Sequence, residues 1–572
     1  MFHRNRWKNH EIAPEEIFLD SSNLPGHDTL QFEGRVEKPM SRKAILGVGV
    51  VFAAIAAIFC IRAFNLQILN GASYAEISLE NTLTRRVIFA ERGLIYDRTG
   101  KELAWNVSAS TSTDATSTPY ALRRYIAAPG MSLLLGYVSY PKADRSGLWW
   151  QQEYTGISGV ELSYDQHLQG KNGSVIVEED ARRHVQRQNI VSPPEDGDSL
   201  HLSIDADVQS KLFSVLSHHA AEQGFQGGAG AIIDVRTGQL IALTSFPEYD
   251  NNAFQNGDSS AISGAARNPR SPLLNRAVAG LYTPGSIVKP IFAAAALSEH
   301  IISPDKTIVS TGQISIPNPY DPAHPSIFRD WTVHGVIDMR TALAVSSDEY
   351  FYTIGGGYGG QQGLGIANLD KYARMFGLGS TTGIDLSGEK AGIIPTPEWK
   401  VKVFGADDPW RIGDTYHTSI GQYGFQVTPI QAVRYTAAIA NGGKLFTPQL
   451  DASSTPEFTT IPIPDSELKI VREGMRMAVT STRSDATVKF FNIAGIKLAA
   501  KTGTAQLGAH NEWMNSWSIG FWPADNPKYA YAVVLEHAKA GTPSGAAPGM
   551  LPFFQWLIAN HPEYTGEDTM AE

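Results

Sequence analysis

The pattern of apolar and polar positions begins with one long uncharged run. Residues 1–43 are polar and mixed in charge, and Ala44–Ile61 then contains no charged side chain. A helix of about 20 apolar residues is long enough to cross a bilayer. The pattern therefore predicts a polar tail over residues 1–43 and a single transmembrane helix over residues 44–66.

Basic residues lie mostly on the amino-terminal side of this run, at Arg35, Lys38, Arg42 and Lys43. Cytoplasmic flanks of membrane helices are enriched in Lys and Arg, so the bias predicts a cytoplasmic amino terminus and an extracytoplasmic remainder, in the inner membrane. A cleaved signal peptide is the alternative, but the preceding tail is too long for its basic segment. A buried core helix is the other alternative, and the uniformly apolar composition disfavours it.

The segment after the apolar run has short alternating patterns that predict a β-rich domain over residues 67–195. Glu91–Ala104 alternates apolar and polar residues around Thr99-Gly100, which predicts a hairpin. Gly156–Gly173 predicts a short strand followed by a helix and a turn. Residues 107–155 carry mixed signals and predict no particular fold. Val191–Asp198 has the composition of a linker.

The larger remainder, residues 196–560, predicts an α+β domain. Leu200–Ile204 predicts a strand, residues 207–223 a helix and Gly230–Leu243 a hairpin. Two further strands are predicted at Ser516–Trp522 and Tyr529–Leu535. This order favours helices packed on an antiparallel sheet. Residues 561–572 read as a short polar tail.

Composition narrows the possible functions. The chain has 572 residues, 42% hydrophobic and 18% charged, which is typical of a folded protein. Its net charge is -10 and it has no Lys/Arg-rich block, so nucleic-acid binding is not expected. The single cysteine, Cys60, lies in the apolar run, so no intramolecular disulfide can form. The 15 histidines form no ligand-spaced cluster, so we expect no metal and no cofactor.

A candidate nucleophile lies at Ser286, between a Pro-Gly turn and the apolar run Ile291–Leu297. Ser286 and Lys289 are three residues apart, so on a helix they share one face and the amine could reach the hydroxyl. A helix amino terminus also favours a developing oxyanion. The spacing therefore predicts a serine nucleophile with a lysine base, whose pKa burial or a second cation would have to lower.

The pair alone is a weak signal, because Ser-x-x-Lys also occurs beginning at Ser139, Ser303, Ser387 and Ser466. Two further motifs strengthen it. Ser346-Ser347-Asp348 follows some sixty residues later, and Lys501-Thr502-Gly503-Thr504 contains the only Lys-Thr-Gly in the chain. Each has a structural alternative: Ser346 as a helix cap, Asp348 as a structural hydrogen-bonding residue, and Thr502 as an ordinary strand residue.

Together these motifs resemble those of the class B penicillin-binding proteins, membrane-anchored transpeptidases of bacterial peptidoglycan. Arg92-Gly93-x-Ile95-x-Asp97-Arg98 and Gly156–Gly173 resemble the motifs that follow the family's anchor. Gly413-Asp414-Thr415 and Thr428-Pro429-x-Gln431 resemble two of its transpeptidase segments. The resemblance implies a penicillin-binding transpeptidase domain on a β-rich pedestal of the dimerisation type. In that setting Arg92, Asp97 and Asp414 would be structural.

The resemblance also implies roles for the motif residues. Ser286 would be acylated by a stem peptide with release of terminal D-alanine, and an amine of a second stem would then form the cross-link. Lys289 would be the base, Lys501 a second cation, and Ser346 a proton relay. Substrate binding would fall to Asp348, Thr502, Gly503 and Thr504, with an oxyanion hole made by the backbone N–H groups of Ser286 and Thr504.

One position departs from the commoner family pattern. The second motif ends in Asp348 where most relatives have Asn; ionised Asp only accepts hydrogen bonds, whereas Asn also donates. The Ser-x-Asp form is typical of the elongation branch, so a role in cell elongation and shape is expected over one in division.

The resemblance implies peptidoglycan stem peptides and β-lactams as ligands. Residues 67–195 are too few for a polymerising domain, so the resemblance also implies an integral-membrane glycan polymerase of the SEDS family as a partner. A β-lactamase or D,D-carboxypeptidase is an alternative that shares the serine motifs, but no deacylating base is assignable. A non-catalytic scaffold or penicillin sensor is another. A scaffold would have lost Ser286, Lys289 or Lys501, and a sensor would need a cytoplasmic signalling domain.

Overall fold

The computed structural model describes residues 41–108, 118–179, 185–318 and 321–566. The described residues fall into two compact units, the first within Met1–Arg85 and Ile176–Asn189, the second within Arg86–Val175 and Ile190–Glu572. Leu83–Ile88, Gly173–Glu179 and Val185–Ser192 form a three-stranded sheet. Most of the predicted tail before the apolar run lies outside the described residues.

The first unit contains the apolar run as a helix, Arg42–Phe64, which continues as a π-helical turn, Asn65–Leu69. Ser41 caps its amino terminus, accepting a hydrogen bond from the Ala44 N–H at 3.2 Å. Its apolar side chains are exposed all round, as in Leu46 and Phe59. By length and composition it can cross a membrane, which agrees with the predicted span. A second helix, Gly71–Thr82, follows.

The second unit begins with the pedestal predicted from the sequence. The predicted hairpin is confirmed: Ile95–Tyr96 pairs antiparallel with Glu102–Val107. They belong to a four-stranded sheet with the order Leu200–His201, Ile95–Tyr96, Glu102–Val107, Leu122–Tyr125. The pattern at Gly156–Gly173 is confirmed as strand and helix as well. The remaining short elements are strands Val138–Ser139, Lys142–Ala143, Trp149–Gln151 and Thr155–Gly156 and helices Ser132–Leu135, Gly159–Ser163 and Asp165–Leu168.

Three buried charged side chains hold this pedestal together. Glu161 receives Arg92 Nε at 2.6 Å and Arg123 Nε at 2.8 Å, and none of the three side chains is exposed. Arg92 also contacts Asp165. Asp97 accepts hydrogen bonds from the backbone of Thr99 and Lys101 in its own hairpin turn. The structural roles expected of Arg92 and Asp97 therefore agree with their contacts.

A five-stranded antiparallel sheet forms the centre of the larger domain, as the α+β prediction expected. Its strand order is Leu240–Phe246, Gly227–Asp234, Tyr529–Lys539, Trp513–Trp522, Ala499–Leu507. Every residue of Gly227–Asp234 is buried. Alternate residues of that strand enter two cores on opposite faces, Ala231 and Ile233 in one and Ile232 in the other.

Helices cover both faces of this sheet. Ala206–Gln223 and Ala546–Asn560 pack on the face that carries Ile232, and Lys289–Ser298 and Pro429–Ala440 contribute to the opposite core. The other helices are Asn251–Gln255, Ser259–Arg267, Arg276–Ala279, Met339–Val345, Asp348–Gly356, Gly365–Met375, Pro397–Phe404, Ile412–Ser419 and Asp465–Thr480. Small two-stranded sheets pair Ile308–Ser310 with Gly335–Ile337, Gln313–Ile316 with Ser326–Arg329, and Lys444–Phe446 with Phe458–Thr460.

The carboxy-terminal residues are folded further than the predicted polar tail implies. Pro562–Tyr564 forms a 3-10 turn in which Tyr564 is buried. The Tyr564 hydroxyl donates to Asp205 at 2.8 Å, and its carbonyl accepts from the Trp522 indole at 2.7 Å. Residues 561–566 therefore pack on the domain, and residues 567–572 lie outside the described part.

Candidate active site

Ser286 lies in a 3-10 turn, Gly285–Val288, directly before the buried helix Lys289–Ser298. The sequence predicted an α-helix from the serine onward, and the structure places the tighter turn first. Gly285 has φ +56, and a Cβ there would lie 2.6 Å from the Thr504 carbonyl oxygen. Only glycine fits, so the serine turn packs closely against the Lys501–Thr504 segment.

Lys289 is fully buried and forms an ion pair. Its Nζ lies 2.6 Å from Asp348 Oδ1 and donates to the Ser346 carbonyl oxygen at 2.8 Å. Among the described residues these are its hydrogen-bond partners, rather than the Ser286 hydroxyl that the spacing suggested. Residues three apart also share one face in a 3-10 turn, so the turn does not separate the two side chains. The Lys289 amine is instead engaged by Asp348 and the Ser346 carbonyl oxygen.

Ser346 ends the helix Met339–Val345 in the left-handed conformation, with φ +59. This turns its side chain toward Lys501, whose Nζ lies 2.6 Å from Ser346 Oγ. The helix-capping role considered for Ser346 belongs instead to Ser347, whose Oγ accepts from the Tyr350 N–H at 3.2 Å. The second motif thus divides into one serine that faces the site and one that caps a helix.

Lys501 is the second buried amine. Its Nζ contacts Ser346 Oγ and the Thr502 carbonyl oxygen, the latter at 2.8 Å, and forms no ion pair with a carboxylate of the described residues. Burial lowers the pKa of Lys501 well below its ordinary value, and the nearby charge of Lys289 lowers it further, against a smaller opposing effect of Asp348. The sequence-based hypothesis placed the lowered pKa on Lys289. In the described site, burial lowers the pKa of Lys501.

The Lys501–Thr504 segment lies on the edge strand of the central sheet. An edge strand presents backbone N–H and carbonyl groups that can pair with an extended peptide. Lys501 and Gly503 are buried, whereas Thr502 is half-buried and Thr504 exposed. A Cβ at Gly503 would lie 2.8 Å from the Pro284 carbonyl oxygen, so this glycine permits the close approach of strand and serine turn.

The structure therefore brings together the three segments that carry the eight predicted site residues: Ser286, Lys289, Ser346, Asp348, Lys501, Thr502, Gly503 and Thr504. Asp414 lies elsewhere, and its carboxylate accepts from buried Lys400 and from the Arg411 N–H, both at 2.7 Å, which fits the structural role expected of it. Sequence reasoning missed Asp330, His334 and Asp485, which form a buried charged cluster behind the second motif.

The chain matches known protein families whose names agree with the site described above. Residues 228–551 match the penicillin binding protein transpeptidase domain, and residues 114–202 match the penicillin-binding protein dimerisation domain. The first match alone covers more than half of the chain. The chain belongs to the class B penicillin-binding proteins. The predicted family, fold class and enzyme class are therefore confirmed.

Individual members are similar over most of their length. The peptidoglycan D,D-transpeptidase MrdA of Haemophilus influenzae is 32% identical, over 85% of this chain and 74% of the relative. MrdA of Escherichia coli K12 is 29% identical, over 84% and 89%. Among solved structures, the PBP2–MreC complex of Helicobacter pylori matches with TM-score 0.68 and 26% identity, over 83% of this chain and 99% of that chain. PBP2 of Pseudomonas aeruginosa in complex with WCK 5153 matches with TM-score 0.66 and 27% identity, over 86% and 100%.

Proposed function

We propose that this penicillin-binding protein cross-links peptidoglycan stem peptides through an acyl-enzyme on Ser286 and serves cell elongation. The observation that supports this best is the contact of Lys501 Nζ with Ser346 Oγ at 2.6 Å, beside the turn that carries Ser286. It joins the second and third motifs, and Lys289 joins the first motif to them through Asp348. Similarity to the MrdA transpeptidases supports the elongation role over division.

In the first half-reaction the Ser286 oxygen attacks the penultimate D-alanine carbonyl. The C–N bond to terminal D-alanine breaks, and the proton leaving Ser286 is delivered to the departing amine. We assign this transfer to neutral Lys501 acting through the Ser346 hydroxyl, because the pKa of Lys501 is lowered and the two groups are in contact. Lys289, paired with Asp348, then supplies positive charge beside the developing oxyanion.

In the second half-reaction an amine of a neighbouring stem attacks the Ser286 ester. A new amide bond forms, the ester bond breaks, and the amine proton returns along the same path to the Ser286 oxygen. We assign Thr502 and Thr504, the accessible side chains of the edge strand, to the donor carboxylate. Backbone N–H groups of Ser286 and Thr504 serve as the oxyanion hole, each worth about 2.7–4 kcal/mol in comparable sites.

We further propose a polar tail over residues 1–43, an anchor over 44–66, a pedestal over 67–195, a transpeptidase domain over 196–566, which includes the packed residues around Tyr564, and a carboxy-terminal tail over 567–572. The anchor places the amino terminus in the cytoplasm and the catalytic domain outside the inner membrane, as the basic flank at Arg42 and Lys43 favours. The partner that supplies glycan strands is an integral-membrane polymerase of the SEDS family.

The test is cross-linking by the purified full-length protein in detergent, supplied with nascent peptidoglycan bearing pentapeptide stems. Transpeptidation predicts cross-linked dimers and released D-alanine in equal amounts, abolished by Ser286→Ala. D-alanine release without dimers would support the carboxypeptidase alternative. Rapid hydrolysis of added penicillin would support the β-lactamase alternative. No reaction with either the peptidoglycan or penicillin would support the scaffold alternative.

A further inference from the structure

A buried charged cluster lies behind the second motif and has no place in the chemistry proposed above. His334 is fully buried, with Nδ1 at 2.8 Å from Asp485 Oδ2 and Nε2 at 3.5 Å from Asp330 Oδ1. The Asp330 side chain is fully buried too, and Asp485 is 14% exposed. We call Asp330, His334 and Asp485 the clasp.

The clasp holds the second motif on its carboxy-terminal side through Asp330. The Oδ2 atom of Asp330 accepts from Ser347 Oγ at 2.6 Å and from the Glu349 N–H at 2.9 Å. Both donors flank Asp348, the partner of Lys289. Removing the charge of Asp330 would therefore loosen the start of the helix that presents Asp348.

The same loop also holds the amino-terminal side of the motif. Trp331, next to Asp330, donates its indole N–H to the carbonyl of Val345 at 3.1 Å, one residue before Ser346. The Trp331 ring lies edge-on to the His334 ring at 5.2 Å. Through Asp330 and Trp331, the segment Asp330–His334 therefore forms hydrogen bonds on both sides of Ser346, the residue whose hydroxyl contacts Lys501.

Charge balance in the clasp depends on protonated His334. Arg483 pairs with Asp485 through Nε at 2.9 Å and NH2 at 2.8 Å, and its NH2 also donates to the His334 carbonyl. With His334 charged, two carboxylates face two cations. With His334 neutral, the buried Asp330 carboxylate loses its nearest cation.

The pKa values agree with this balance. Burial alone would lower the pKa of His334, but its Nδ1 hydrogen bond to Asp485 and the nearby charges of Asp330 and Asp485 raise it above the ordinary value. The pKa of Asp330 is lowered, because its hydrogen bonds and the charge of Lys289 outweigh burial. The hydrogen bond from Arg483 lowers the pKa of Asp485 to about 2, helped by His334.

The remaining neighbours complete the surroundings of the imidazole. The His334 N–H donates to Ser310 Oγ at 3.4 Å, and Ser310 Oγ in turn donates to Glu349 at 2.9 Å. The buried Glu349 carboxylate also accepts from the N–H groups of Thr311 and Gly312, both at 2.8 Å. Glu349 therefore has its own hydrogen-bond donors. The carboxylates that lie next to the His334 imidazole are those of Asp330 and Asp485.

We propose that His334 is a positioning residue for acylation, acting as a buried imidazolium that holds Asp330 and, through it, Ser346 and Asp348 in register with Lys501. This rests on the proposed role of Ser346 in proton transfer. Since the pKa of His334 is raised in the folded protein, its contribution is complete below the unfolded pKa of about 6.5 and is lost as pH rises through the raised folded value.

The test is the second-order acylation rate constant of the full-length protein in detergent with a fluorescent penicillin, from about pH 6 to about pH 10. We expect His334→Gln to lower the constant roughly 10- to 100-fold at about pH 6, the size of effect that a small misplacement in an active site causes. The wild-type-to-variant ratio should shrink as pH rises. A ratio that stays constant with pH, or no loss at all, would overturn the proposal.

The matched control is His324→Gln. His324 also lies near a carboxylate, Asp321, at 2.9 Å, but its side chain is 83% exposed. We expect no change in rate or pH profile, and a change equal to that of His334→Gln would contradict the positioning role. Failure of the proposed function is distinguishable, because it would appear as wild-type protein that is never labelled, whereas both His variants should still label to completion at long times.

If His334→Gln does not fold, the same measurements are made on Asp330→Asn and on the wild-type protein. Asp330→Asn should show the same pH-dependent loss of rate. Titration of the His334 ring resonance in wild type should give a pKa above its ordinary value of about 6.5. A lower value would overturn the proposal.

Discussion

Replacing Ser346 with Ala is the most informative change in the proton path. The substitution removes the hydroxyl that lies 2.6 Å from Lys501 Nζ and leaves the amine with the Thr502 carbonyl as its contact. Ser and Ala both carry a Cβ and have the same steric cost in the left-handed conformation at φ +59. The substitution therefore adds no backbone strain to the turn. The expected effect is therefore on chemistry rather than on folding.

The magnitude follows from two contributions. A hydrogen bond between neutral groups, as proposed for Lys501 and Ser346, contributes about 0.5–1.5 kcal/mol to the free energy of unfolding. Loss of a positioned proton-transfer group costs roughly 100- to 10,000-fold in rate. We therefore expect the acylation rate constant of Ser346→Ala to fall by roughly 100- to 10,000-fold, while the free energy of unfolding changes by about 1 kcal/mol.

The assay is stopped-flow labelling with a fluorescent penicillin, alongside thermal unfolding of the same preparation. Ser347→Ala is the matched control, because it removes the adjacent hydroxyl that caps the helix Asp348–Gly356. It should lower the free energy of unfolding by about 0.5–2 kcal/mol and the rate less than Ser346→Ala does. A rate for Ser346→Ala within about threefold of wild type would refute the relay.

Two further predictions concern the ion pair at the site and the buried charges of the pedestal. Asp348→Asn should keep penicillin labelling, since the amide oxygen can still accept from Lys289, and loss of labelling in a gel assay would show that the charge itself is required. Glu161→Gln should destabilise the protein by about 3–5 kcal/mol in denaturant unfolding, because it leaves Arg92 and Arg123 buried without their carboxylate; a change below about 1 kcal/mol would contradict this. Burial raises the pKa of Glu161, but the two guanidinium groups outweigh it and the net shift is downward. The stability that Glu161 contributes is therefore present above its unfolded pKa of about 4.3 and lost as pH falls through the lower folded value, which acid unfolding of wild type and Glu161→Gln would show as converging stabilities.

Local patterns predicted the elements of this fold well. The apolar run before Arg62 is a helix, and the strands at Gly230–Leu243 and after Ser516 pair as one antiparallel sheet. Period-two alternation and turn residues report on neighbours in the chain, so they locate the hairpins of this sheet. The pairing of Gly227–Asp234 with Tyr529–Lys539, far apart in the chain, is not visible in such patterns. The motif order likewise located the site residues.

The partners within the site were harder to predict, because they depend on contacts between distant residues. Lys289 pairs with Asp348, 59 positions away, and His334 with Asp485, 151 positions away. No periodicity in the sequence reports such pairs. The sequence therefore indicated which residues meet, and not which amine carries the charge or which serine caps the helix.

The central claim, acylation at Ser286, is tested most directly by mass spectrometry of the full-length protein after incubation with a β-lactam, wild type beside Ser286→Ala. The account predicts a stable adduct of one inhibitor mass on the peptide that carries Ser286 and none in the variant. An adduct on another residue, or an equal adduct in Ser286→Ala, would contradict it.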